Sequence, residues 1–203
     1  MTRVAFEHDE ATSIVVPAGG LGGEQAEGWA RDAAARLAGH HEFSAEIRDT
    51  LRRVLVRAQR SAAEDPATNV LLFEPGTASW APLRLTLLDR ELDVEEQSRY
   101  LQPDAVLPPR LRTVVSQGLG QGCSSTAVDH DLRGTIRWLF LPGGATFFAV
   151  LGPLTPPAIP LAAAIAENIL DTVRIEGATG PSTDFDPQAL VAAAQSDEVS
   201  WRI

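Results

Sequence analysis

The side chains best suited to chemistry fall in one stretch of the sequence: Cys123, Ser124, Ser125, Asp129, His130, Asp131 and Arg133. A cysteine with a histidine is the pair that makes a thiolate nucleophile and its base, the chemistry of a small hydrolase or transferase. Asp-His-Asp offers oxygen and imidazole ligands to a metal. Two features weigh against both uses. Leu132, Arg133 and Gly134 follow at once, which places the acidic group where a turn joins two strands, and turns select Asp for its local backbone bonding. In extended chain His130 also points away from both aspartates. The expectation is a turn and no metal site, with Cys123 and His130 kept as the catalytic pair of an alternative reading.

Other motifs resolve in the same way. Gly118, Gly120 and Gly122 are spaced like a nucleotide loop, but such a loop needs a strand before it, a helix after it and a parallel sheet, and here a strand is expected to follow. Gly19 to Gly23 precede a predicted helix, where Glu24 and Glu27 would repel an anion. His40 and His41 are adjacent, whereas helical ligands stand three or four apart, so they read as an interhelix turn. All 17 basic residues are arginine. Schiff-base and Walker-lysine mechanisms are thereby excluded, and no cofactor is implied.

Five of the arginines, Arg48, Arg52, Arg53, Arg57 and Arg60, occupy adjoining rows of one predicted helix. Asp49 can pair with Arg53, and Glu64 with Arg60, at i,i+4. The face is either solvated or the contact for something acidic: a partner protein, or the chain's own Asp184, Asp186, Asp197 and Glu198. Trp29, Trp80 and Trp138 fall inside predicted elements and are expected at or in the core. Trp201 lies beyond them, where a tryptophan either docks on its own domain or anchors a partner.

These residues need elements to hold them. An opening hairpin is expected from Val4 and Phe6 against Ile14 to Val16. Helical spacing follows over residues 24–38, ended by Gly39, and again from an N-cap at Ser44 to about residue 64, stopped by Asp65 and Pro66. Alternation then predicts strands at 69–73 and 80–88 about a turn at Pro75 and Gly76, at 111–117 and 122–128, and a hairpin of 135–141 with 146–151. Residues 93–101 read as a helical turn or lateral loop, 161–174 as a helix, and 188–195 as a short alanine-rich helix. The sum is an α+β fold, an antiparallel sheet of about six to eight strands flanked by helices. Residues 1–176 are expected to form a single domain and 177–203 a linker and C-terminal tail.

Composition bounds the rest. With 203 residues, 44% hydrophobic and 22% charged, and a mean hydropathy of -0.03, the chain can bury a core. No apolar run nears the roughly 20 residues that span a bilayer, and the first residues turn acidic where a signal peptide turns apolar, so a cytoplasmic protein without membrane insertion is expected. A single cysteine forms no internal disulfide. A formal charge of -10 argues against nucleic acid as a partner. Abundant alanine with no lysine is the usage of a GC-rich genome, such as an actinobacterial one.

The element order, with a closing helix carrying Ile165, Ile169 and Val173, resembles the PsbP-like α/β/α sandwich. That fold is shared by photosystem accessory proteins, a Ran-binding nuclear-transport factor and LpqN-type actinobacterial proteins. The resemblance covers residues 3–175. LpqN-type members carry a lipobox cysteine near the N-terminus that this sequence lacks, so lipid anchoring does not carry over, and no family functional residue maps onto a position here. What the resemblance implies is an accessory role without catalysis. The leading expectation is thus a non-enzymatic accessory or protein-binding domain, its contacts the arginine face and Trp201. The alternatives are the Cys123 and His130 enzyme, and a homo-oligomeric component pairing through an exposed sheet edge.

Overall fold

The computed structural model describes residues 4–62, 65, 67–74, 79–177, 182 and 185–200, the side chains of 197–200 excepted. Glu64, Asp184, Trp201 and the turn at Pro75 and Gly76 lie outside the described residues. The chain divides into two compact units, His8–Thr86 and a discontinuous one made of the stretches on either side of it. The first strand, β1 (Val4–Ala5), belongs to the discontinuous unit.

The unit His8–Thr86 holds β2 (Ser13–Val16), α1 (Gly23–Ala38), α2 (Ala45–Ala62), β3 (Thr68–Glu74) and most of β4 (Ser79–Leu88). β2 and β4 flank β3, both antiparallel to it. α1 buries Ala26, Ala30, Ala33, Ala34 and Leu37, and α2 buries Leu51, Leu55, Val56 and Ala62, the stripes that helical spacing demands. Ser44 caps α2 by accepting the Ile47 N–H at 3.2 Å. Both stripes meet Ile14, Leu71 and Phe73 in one core, with Trp29 and Trp80 packed at its margin. His41 is part of that margin: its ring stacks on Phe43, lies edge-on to Phe73 and bonds the Ala11 carbonyl through Nε2 at 2.6 Å.

The discontinuous unit continues with α3 (Val94–Leu101), β5 (Arg110–Ser116), β6 (Gly120–Val128), β7 (Gly134–Phe140), β8 (Thr146–Leu154), α4 (Ile159–Thr172), β9 (Arg174–Ile175) and α5 (Pro187–Ser200). β5 to β8 form an antiparallel meander. Leu190 of α5 packs with Cys123, Leu139, Leu141, Leu92 and Leu101 in a second core, so the segment after residue 177 contributes to folding. Among the described residues the fold is α+β, with seven strands in antiparallel pairing plus the short β1–β9 pair.

One expectation is corrected and two are sharpened. The opening hairpin does not form, since β2 pairs with β3 while Val4 and Ala5 pair with Ile175 and Arg174. Asp9 supplies the reason: its carboxylate accepts from Ala11 N at 2.8 Å and its carbonyl from Thr12 N and Ser13 N, which turns the chain away before β2 begins. Residues 94–101 are a helix, fixed by a capping box in which Asp93 accepts from Glu96 N at 2.8 Å and Glu96 accepts from Asp93 N at 3.1 Å. The closing helix stops at Thr172, because Arg174 and Ile175 are drawn off into β9.

Candidate functional site

The meander β5–β6–β7 places Ser116, Val114 and Arg112 opposite Gly120, Gly122 and Ser124, and sets Gly122 and Ser124 opposite Phe140 and Trp138. Directly opposed residues share a face in an antiparallel sheet. On this face, then, β6 contributes two glycines and a serine between the larger side chains of β5 and β7. The Phe140 ring lies across the gap: a Cβ at Gly122 would stand 2.4 Å from its Cδ1. With α4 above, the trough becomes a cleft of about 200 Å³ lined by Arg112, Val114, Trp138, Phe140, Glu167 and Asp171, among others.

Polar groups set the character of this cleft. The Arg112 guanidinium is paired with Glu167 of α4, and its Nε donates to Ser124 Oγ at 3.0 Å. Ser116 Oγ donates to the Leu170 carbonyl at 2.8 Å, tying the end of β5 to α4. The buried Trp138 Nε1 has no acceptor among the described residues. Asp171 is exposed and has no ion pair among the described residues. The volume falls short of the roughly 300 Å³ at which small-molecule pockets begin, and the Ser116 hydroxyl in the lining is spent on the Leu170 carbonyl. It suits a protruding side chain better than a whole metabolite.

Cys123 faces the other side of β6. It is fully buried, and its thiol donates to the Pro187 carbonyl at 3.4 Å. Burial, with the nearby Asp186 carboxylate adding to it, pushes the thiol up to about 12. The nucleophilic thiolate is therefore scarce at neutral pH. β6 runs extended from Cys123 to Val128, which carries the chain about 16 Å further before the turn that holds His130. The His130 side chain is 74% exposed, and its recorded ionic neighbour is Asp104 at 3.8 Å. The structure does not bring Cys123 and His130 together. Asp129 takes the turn role, its Oδ1 accepting from Asp131 N at 3.0 Å and Arg133 N at 2.8 Å. Among the described residues no three His, Cys, Asp or Glu side chains converge as a metal site would require. Gly120 and Gly122 belong to a strand, β6, rather than to a loop before a helix, and Gly118 lies where a Cβ would strike the Val173 carbonyl, so close approach of backbone accounts for it.

The arginine face of α2 divides into two groups. Arg52 is answered by Glu27 at 2.7 Å and Asp49 at 3.1 Å, and Arg53 by Asp49 at 3.3 Å. Arg48, Arg57 and Arg60 are exposed, with no ion pair among the described residues. Glu64 and Trp201, each expected to contribute, lie outside those residues. Asp186, considered as an internal counter-charge for this face, instead caps α5 by accepting from Gln188 N and Ala189 N, both at 3.0 Å.

Sequence reasoning did not reach the cleft residues Arg112, Glu167 and Asp171, and it placed Trp138 at or in the core, where it is buried, without assigning it to a cleft. A signal existed in β6, where Gly120, Gly122 and Ser124 alternate with larger residues. That pattern marks a face without bulk, but its meaning depends on Phe140 and α4, which only the pairing reveals. The chain matches no family model, and no curated protein or solved structure compared with it gives a match.

Proposed function

We propose that the chain is a non-enzymatic accessory domain that binds an acidic protein partner through the exposed arginine face of α2. The observation that carries the reading is the set of three exposed guanidiniums, Arg48, Arg57 and Arg60, left without ion pairs among the described residues of a chain whose net charge is -10. A cationic patch on an acidic protein steers and orients an anionic surface while the remaining charge repels unwanted contacts. The buried, protonated thiol of Cys123 and its distance along β6 from His130 support a role without catalysis. The resemblance to PsbP-like accessory proteins agrees with it. A cytoplasmic setting in a GC-rich bacterium completes the proposal, and among the described residues no helix is long and apolar enough to cross a membrane.

The test compares the full chain with a variant carrying Arg48→Gln, Arg57→Gln and Arg60→Gln. These side chains are exposed, so the fold is expected to persist, as circular dichroism would verify. A partner isolated on the wild-type chain should bind the variant about tenfold more weakly or worse, each tenfold being about 1.4 kcal/mol. Equal affinity would refute the assignment of this face. Trp201→Ala tests the other expected contact, and an unchanged affinity would remove it from the reading.

A further inference from the structure

β5 is the last strand of its set. It pairs with β6 along its whole length of 7 residues, and among the described residues no strand lies on its other side. Its outer backbone groups form a template for a further strand. Such edges are ordinarily blunted by charge. Here Arg112 is engaged with Glu167 and Ser124, and Val115, on the opposite face of the strand, is 73% exposed.

We infer that β5 is the seam of a two-fold dimer, pairing antiparallel with β5 of a second copy about Thr113 so that Arg110 of each copy meets Asp171 of the other. This goes beyond the partner-binding face of α2 and uses different residues. A two-fold axis normal to the sheet keeps each face on its own side, so even-numbered residues oppose even-numbered ones. With Thr113 on the axis the strands overlap completely: Arg110 stands opposite Ser116, Leu111 opposite Val115, and Arg112 opposite Val114. No arginine opposes another. The register shifted to put Arg112 on the axis would set that residue against itself, and like charges directly opposed are destabilising.

Charge complementarity selects a second copy over an unrelated strand. Ser116 is bonded to Leu170, and Asp171 is the next residue of α4, exposed at the same end of the cleft. Arg110, arriving opposite Ser116 on that face, reaches a carboxylate that has no ion pair among the described residues. Arg110 is itself exposed and without one. The two-fold repeats the pair at the other end, as an isologous interface requires. On the opposite face the exposed Val115 is covered by Leu111, which borders the second core.

Sedimentation of the wild-type chain over a concentration series should show its mass rise from 21.7 kDa toward twice that value. Arg110→Glu alone, or Asp171→Arg alone, should raise the dimer dissociation constant about tenfold, since each reversal acts at two exposed pairs. The two reversals together should restore it. Directly opposed Cα atoms stand about 4.5–5.5 Å apart, within disulfide reach, so Thr113→Cys should yield a covalent dimer on oxidation while the buried Cys123 does not compete. A chain that stays monomeric at its highest soluble concentration would overturn the seam and leave the edge to some other strand. So would a dimer indifferent to both reversals, or one in which Thr113→Cys forms no cross-link.

Discussion

Gly122 has no side chain, and the cleft depends on that. The Phe140 ring occupies the space above it, with Cδ1 and Cε1 at 2.4 and 2.5 Å from where a Cβ would sit and the Leu139 carbonyl at 2.6 Å. A ring can tilt, but the carbonyl belongs to the β6–β7 ladder and cannot. Gly122→Ala should therefore cost about 1–3 kcal/mol, the range of overpacking with backbone displacement. Urea unfolding of the variant beside wild type measures it. A loss under half a kilocalorie would mean that the strands part more easily than their packing implies. The same residue shows what a sequence withholds: three spaced glycines invite a phosphate loop, and the true constraint is an aromatic ring on a strand that lies eighteen positions later in the chain.

Among the elements, α3 is the clearest case of local chemistry deciding structure. Prolines at 103, 108 and 109 suggested an irregular excursion, yet Asp93 and Glu96 had the spacing of a capping box, and they close it. Asp93→Ala should cost about 1 kcal/mol, the usual loss of a side-chain N-cap. Glu96 does a second job, since its hydrogen bonds to Arg90, and then to the Asp93 N–H, bring its carboxyl down to about 2. Its contribution is whole above the ordinary carboxylate value of 4.5 and fades as pH falls toward 2; in Glu96→Gln that acid-range loss should be smaller. The elements readable beforehand were those whose signal is contained within themselves: the apolar stripes of α1 and α2, the alternation of β4, the β7–β8 hairpin. A strand at Val4 was readable, but its partner was not. β9 has two residues, too few to show a period, and beside the pair Glu7 N meets Thr172 Oγ1 at 2.9 Å from far apart in the chain.

For the whole molecule, the absence of lysine simplifies the alkaline range. Arginines hold their charge there, leaving one cysteine and one tyrosine as the side chains with protons to lose. The Cys123 thiol is raised from 9.0 to about 12 in the folded chain. A raised acid stabilises the fold fully below its unfolded value and ceases to do so as pH climbs through the folded one. Stability should hold to about pH 9 and decline toward pH 12, and Cys123→Ala should flatten that decline. Denaturation midpoints taken at half-unit pH steps would reveal the difference, and parallel curves would refute it.

The β1–β9 pair also has a history in time. Residues 8–86 can gather into their compact unit while the ribosome is still making the remainder, whereas the Glu7 bond to Thr172 must wait for 165 further residues. At synthesis rates of roughly 5–20 residues per second, that delay is on the order of ten seconds. Throughout it Val4 and Ala5 have no β9 to join. A nascent chain stalled short of Arg174 would therefore carry residues 8–86 gathered and Val4 and Ala5 still unpaired, and it is the arrival of β9 that lets the segment before residue 8 find its place.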